Sequence, residues 1–250
     1  MSTLICFALK EEAAPFRKIA AGKTGVSVLL VGIGRANAEK SIRAFLNSCR
    51  SRGAETQIKN KLETPHVASY EPGLVLTCGF AGGLNPDLKL GDVVFETVPS
   101  SRRRESAQIK TEEKSEPIDI GCYEKLLAAG AKPATFFCAD RIATTVAEKK
   151  KLRAETGADV VEMESAAIHA VCAERGISCV TVRVISDTAH EDLPLDFNAL
   201  SKPDKNLDFG KLFLAIAKSP GKIRALMQLQ QKTKFAAERL ADVLEQVIGS

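Results

Sequence analysis

The chain has 250 residues, 45% of them hydrophobic and 26% charged, with a formal net charge of +4. This is globular composition, apolar enough to fill a core and to exclude disorder as the main state. No apolar run approaches the roughly 20 residues of a membrane span, and the small charge, no Trp and only two Tyr leave no stacking platform for nucleic acid, even beside Arg102, Arg103 and Arg104.

Residues 3–8 form a short apolar run that leads straight into Lys10, Glu11 and Glu12. The run lacks the length and basic lead of a signal peptide, so the expected location is the cytoplasm. Further runs at 26–31, 74–78, 93–95, 134–138 and 179–185 are rich in Val, Ile, Leu, Phe and Cys with little alternation, as in strands covered on both faces. Residues 36–49 place apolar side chains at 38, 42, 45, 46 and 49, and residues 163–174 at 163, 166, 167, 170 and 171; both follow the helical period. Strands alternating with helices predict an α/β fold with a largely parallel sheet, formed by residues 1–250 as one domain. The polar stretch 51–73 is a long connection or a helix extension, and the charged, Ser-rich stretch 99–117 reads as a surface loop. Residues 222–248 form a helix whose stripe at 236, 240, 243, 244 and 247 is expected to dock on the chain's own core.

The seven cysteines are odd in number and include no CxxC pair, so they predict neither a disulfide framework nor a zinc site; Cys6, Cys78, Cys138 and Cys179 sit in apolar runs as small hydrophobes. Two phosphate-binding patterns begin and break. Gly32-Ile33-Gly34 opens like a dinucleotide fingerprint, but Asn37 stands where its third glycine belongs, and Gly22-Lys23-Thr24 lacks the upstream glycine of a P-loop. No cofactor is supported. The Gly32/Gly34 pair still ends a strand and opens a helix, where backbone N–H groups meet an anion or a polar substrate.

Three acidic segments fall at expected strand ends: Ala8-Leu9-Lys10-Glu11-Glu12, Val161-Glu162-Met163-Glu164-Ser165, and Arg183-Val184-Ile185-Ser186-Asp187. In parallel sheets ligands bind at such ends. Singly, each carboxylate reads as a helix or turn cap. Together with the Gly-rich turn expected at 77–84, they converge on one site. Arg35 and Arg183 read equally as anion contacts or as strand-end ion pairs.

These segments resemble the purine nucleoside phosphorylase and nucleosidase superfamily, in particular methylthioadenosine/adenosylhomocysteine nucleosidases. Five motifs appear in the family's order: ALKEE, VGIGRANA, CGFAGGL with LGDVV, VEMESAA and RVISDTA. The Ala139-Asp140-Arg141 form, and Asp196 after Leu193-Pro194, are more similar to phosphorylase-like proteins linked to hopanoid synthesis. The resemblance implies a three-layer α/β sandwich around a mixed, mostly parallel twisted sheet, and a dimer. It implies that Glu12 activates the nucleophile, Glu164 grips the ribose, Met163 packs beneath it and Asp187 protonates the leaving base. Gly79, Phe80, Ala81, Arg141, Ile142, Glu162 and Ser186 would line the substrate pocket, with Gly34, Arg35 and Arg183 available to phosphate. Phe80 stands where family members usually carry a hydroxyl, which favours water over phosphate as the nucleophile. This chemistry needs no metal. The expected function is cleavage of a purine-type nucleoside, probed against phosphorolysis and against a non-catalytic nucleoside-binding module; an unrelated flavodoxin-like or dinucleotide-binding domain is the remaining alternative.

Overall fold

The computed structural model describes residues 2–51, 71–97, 119–200 and 222–249. The stretch expected as a loop at 99–117 lies outside these residues, as does most of 51–73.

Four strands run parallel in the order β2 (Val26–Leu30), β1 (Thr3–Phe7), β3 (Leu74–Gly83) and β8 (Ser178–Asp187). β4 (Val93–Glu96) joins β8 antiparallel and carries β5 (Lys132–Ala134) in parallel beside it. β6 (Phe136–Cys138) pairs parallel with β7 (Val160–Glu162), which pairs antiparallel with Gly82 and Gly83 at the end of β3. The strands from β3 through β8, β4, β5, β6 and β7 therefore close back on β3. Ala81, Val94, Ala134, Phe136, Val160 and Ile185, one from each strand of this ring, cluster with Leu88 and fill it.

Two expected elements differ. The run at 134–138 is two strands, divided at Thr135. The Asp159 carboxylate accepts from both the Thr135 N–H (3.0 Å) and its hydroxyl (2.9 Å), which takes that N–H away from a strand neighbour. The segment at 77–84 is strand rather than turn through Gly83, in register with β8, with a shift between Ala81 and Gly82.

Both faces of the sheet are covered. On β1, β3 and β8, residues such as Phe7, Leu76, Cys78, Val180 and Val182 pack with α1 (Lys10–Ala20), α3 (Ile120–Ala128) and α7 (Lys222–Gly249). Residues of the opposite parity, including Cys6, Val75 and Cys179, pack with α2 (Arg35–Ser51) and α5 (Ser165–Arg175). The α7 stripe at Ala236, Leu240, Val243, Leu244 and Val247 is buried in the first cluster, as its period required. The α/β class and the mostly parallel, mixed sheet are thus both present. Three shorter helices had no sequence-based expectation: α3, α4 (Val146–Thr156) and α6 (Phe197–Leu200). All seven cysteines are buried and unbridged. Among the described residues no helix is long and apolar enough to cross a membrane.

Candidate functional site

The face of β3 and β8 that packs on α2 and α5 is apolar at Val75 and Cys179 and becomes polar one pleat further on, at Thr77 and Thr181. His169 of α5 is spent on this boundary, with its Nε2 2.8 Å from Thr181 Oγ1. The next pair is Gly79 and Arg183. Arg183 is almost fully buried, 1% exposed, and its Nη2 donates to Glu162 Oε2 (2.6 Å), Thr77 Oγ1 (3.3 Å) and Glu164 Oε2 (3.4 Å).

The two glutamates at the β7–α5 junction divide the work. Glu162 takes the N–H groups of Glu164 (2.9 Å) and Ser165 (2.8 Å) and the Ser165 hydroxyl (2.6 Å). It thereby satisfies the first orphan donors of α5, the capping reading of its sequence. Glu164 is left to accept from the Gly34 N–H at 2.8 Å. The positive end of α2, read from sequence as a place for an anion, thus already meets a carboxylate of the chain itself. Gly34 holds φ +83° there, a conformation that side chains disfavour.

Glu12 arrives from the other side of the sheet, in the first turn of α1. Its Oε2 accepts from the Leu9 N–H (2.8 Å) and its Oε1 from the Phe80 N–H (2.9 Å). Gly79 makes this approach possible. A Cβ there would lie 2.6 Å from Arg183 Nη1 and 2.8 Å from Glu12 Oε1, on a backbone at φ +150°. The Phe80 ring turns away and packs on the α1/α7 cluster.

Asp187 ends β8. Its Oδ1 accepts from the Ser186 hydroxyl (2.8 Å), and its Oδ2 lies 2.6 Å from Lys149 Nζ of α4, a fully buried lysine. Lys149 also donates to the carbonyls of Thr188 (2.7 Å) and Glu191 (3.0 Å).

Burial sets the protonation of the cluster. It pushes Glu164 up to about 7 against the pull of Arg183, and the charges of Glu162 and Glu12 push the same way. It also raises Glu12, opposed by Arg183 and by backbone N–H donors. Glu162 is buried as deeply, yet Arg183 and the Ser165 hydroxyl hold it below the ordinary range. Three glutamates share one guanidinium, so one of them keeps its proton near neutrality.

Glu12, Glu162, Glu164, Gly79, Phe80 N–H, Gly34 and Arg183 are therefore brought together. Met163 is buried between Glu162 and Glu164 in the chain, and Ala81 is buried in the ring. Arg141 points elsewhere: it is exposed and bonded to Glu148. Ile142 has both backbone groups taken by one side chain, its N–H by Asn198 Oδ1 (2.9 Å) and its carbonyl by Asn198 Nδ2 (2.9 Å). Arg35 bonds the Cys138 carbonyl and lies 3.4 Å from Asp140. Arg183 has the ion-pair role of its two sequence readings. Sequence reasoning missed Lys149, which sits in a run of three lysines that reads as a solvated face.

A sequence model described as the phosphorylase superfamily matches residues 9–218; the chain belongs to this superfamily. An aminodeoxyfutalosine nucleosidase of Campylobacter jejuni is 29% identical over 155 residues, covering 53% of this chain and 63% of that protein. A 5'-methylthioadenosine/S-adenosylhomocysteine nucleosidase of Shewanella halifaxensis is 27% identical over 150 residues, covering 53% and 64%. The match spans less than two-thirds of either relative's length. Among solved structures, a 5'-methylthioadenosine/S-adenosylhomocysteine nucleosidase from Neisseria meningitidis in complex with methylthio-immucillin-A has a TM-score of 0.64 at 18% identity, over 99% of this chain and 98% of that one. The futalosine hydrolase of Helicobacter pylori has a TM-score of 0.62 at 19% identity, over 100% and 97%. At such identities the likeness is one of fold.

Proposed function

We propose that this member of the phosphorylase superfamily uses water to cleave the N-glycosidic bond of a purine-type nucleoside. The substrate class is a 5'-modified adenosine such as methylthioadenosine or adenosylhomocysteine. One observation carries the reading: Glu12 and Glu164 converge on the strand ends beside a buried cation whose charge they and Glu162 already share. Such a cluster favours a developing positive charge on a ribose and disfavours an incoming phosphate dianion.

The chemistry follows from the residue types. As the C1'–N9 bond breaks, positive charge grows on the sugar and negative charge on the base. Glu164, hydrogen-bonded to the ribose hydroxyls, binds the sugar more strongly as it becomes cationic. Asp187 gives a proton to N7 so that the base leaves neutral, a contribution of about 10²–10⁴-fold. Glu12, fixed by two backbone N–H groups, takes the proton of the attacking water as its oxygen bonds C1'. A base raised by burial is better matched to that task near neutrality. Ile142 supports an adenine-type base: the acceptor–donor edge that Asn198 presents to its backbone has the same order as N1 and N6–H₂ of a 6-aminopurine.

Phosphorolysis is the second reading. It rests on Arg35 at the start of α2, whose guanidinium would exchange Asp140, 3.4 Å from its Nε, for phosphate. The test is release of free base from methylthioadenosine, adenosylhomocysteine, aminodeoxyfutalosine, adenosine and inosine, each with and without phosphate. Release without phosphate is expected. Release only with phosphate makes the enzyme a phosphorylase, and no release from any nucleoside leaves a binding module.

A further inference from the structure

Lys149 carries no role in that scheme, yet it is fully buried and every donor of its ammonium has an acceptor. An ammonium has three N–H donors, and three acceptors meet Lys149: Asp187 Oδ2 and the carbonyls of Thr188 and Glu191. No water reaches it, since the side chain is fully buried. Its helix is pinned at this end. Thr145 and Glu148 form a capping box, and Asp192 accepts from the Val146 N–H at 2.6 Å.

The neighbouring charges are accounted for. The Glu191 carboxylate is bonded to Lys232 of α7 and to the Thr188 N–H (2.8 Å); it feels the Lys149 charge but makes no ion pair with it. Asp192 is spent on Val146, and Glu148 on Thr144, Thr145 and Arg141. Ser186 faces the other oxygen of Asp187. Asp187 is thus the one carboxylate in contact with Lys149 among the described residues.

This geometry has an unusual property: the proton can sit on either partner without leaving a group unpaired. With the proton on nitrogen, three N–H groups meet three acceptors. With the proton on Asp187 Oδ2, the two remaining N–H groups keep the two carbonyls, and the amine lone pair accepts from the carboxyl. A carboxylic acid held against a permanent cation would be a poor proton store, because the cation favours the ionised form. A cation that can itself surrender the proton removes the conflict.

We propose that Lys149 is the positioning residue and proton reserve of Asp187, and that the proton reaching the leaving base comes from the Lys149–Asp187 pair. The inference rests on the nucleosidase reading above. In the step, Lys149 passes a proton to Asp187 Oδ2 and Asp187 passes that proton on to N7 as C1'–N9 breaks, so the carboxylate is restored and the pair has lost one proton. The lysine ends as a neutral amine held by two carbonyls. The water that bonds C1' leaves its proton on Glu12, and once the products have left, solvent in the emptied site returns a proton to Asp187, which is slightly exposed, and through it to Lys149.

The test compares two leaving groups. Methylthioadenosine needs a proton on its base, whereas 4-nitrophenyl riboside leaves as a stable phenolate and needs none. Lys149→Met is expected to lower kcat/KM on methylthioadenosine about 100-fold or more, with less than a tenfold loss on the nitrophenyl riboside. The alkaline limb of its remaining nucleoside activity should move to lower pH. Lys149→Arg keeps the charge but cannot surrender a proton, so it should lose nucleoside turnover and keep nitrophenolate release. An equal loss on both substrates by folded variants makes the lysine merely structural and overturns the proposal, as does unchanged turnover. If neither variant folds, the wild-type enzyme decides: an alkaline limb on the nucleoside that is absent on the nitrophenyl riboside is expected, and identical limbs overturn it. A wild-type protein that releases nitrophenolate but no base from any nucleoside overturns the proposal alone. Release of neither overturns the nucleosidase reading itself, and the proposal with it.

Discussion

Replacing Glu164 with Gln removes the carboxyl whose proton the cluster holds most tightly. In the folded chain Glu164 is raised from 4.5 to about 7, by burial first and by Glu162 and Glu12 after it. Between those two pH values the folded state keeps a proton that the unfolded state has lost, so stability falls as pH rises through the window and is level on either side of it. A carboxyl moved that far corresponds to about 3 kcal/mol between its two protonation states. Glu12 is raised and shares this sign; Glu162 is lowered, and its contribution is lost only as pH falls through the acid range. Both groups remain in Glu164→Gln, so the difference between the two proteins reports Glu164 together with its coupling to them. Urea unfolding at pH 5 and pH 8 is the assay. From the lower to the higher pH, wild type should lose about 2–3 kcal/mol more than the variant, since pH 5 already lies inside the window. Parallel pH–stability curves for the two proteins would refute the charge accounting at Arg183.

Gly79→Ala places a Cβ against Arg183 Nη1 and Glu12 Oε1 on a disfavoured backbone; a loss of about 2–3 kcal/mol in a thermal melt is expected, with base release falling with it. Thr145→Ala removes the hydroxyl that accepts from the Glu148 N–H (3.2 Å) and should cost about 1 kcal/mol, read by urea unfolding. Asn198→Ala vacates the Ile142 backbone and should lower KM for adenine nucleosides while leaving that for inosine unchanged, which steady-state kinetics will show. All seven thiols are buried, and burial pushes Cys122 up to about 12 and Cys78 and Cys138 further. A thiol-reactive dye should therefore label the native protein slowly and all seven cysteines after denaturation.

The buried strands, the stripes of α2 and α7, and the three strand-end glutamates were legible because each signal is local: a run, a period, or a carboxylate placed just after an apolar segment. What escaped depends on residues far away in the chain. Lys149, Lys150 and Lys151 are alike in sequence, yet successive helix positions point about 100° apart, and only Lys149 faces the end of β8. The glycines at 79, 82 and 83 read as a turn because turns are where glycine is usually needed. Here Gly79 is small because Arg183, more than a hundred positions later, and Glu12 both cross its backbone. Thr135 divides a strand through Asp159, a further 24 positions along. The family resemblance places Arg141 at the pocket through its position after Ala139-Asp140; here the side chain is exposed and paired with Glu148, seven residues away.

The position of β8 bears on how the chain must be made. It lies between β3 and β4, pairing Leu74 with Ser178 and Val93 with Val184, so the middle of the sheet is, among the described strands, the last to leave the ribosome. Until then β3 and β4 each present an unpaired apolar edge, the kind of surface that recruits other chains. Contacts this distant along the chain also close slowly. Overexpression should therefore be limited by aggregation of nascent chains rather than by the stability of the finished protein, and slower synthesis or a chaperone should raise the soluble yield more than a stabilising substitution would. The ring and the carboxylate cluster share the same final step, because Arg183 and Asp187 travel on that strand.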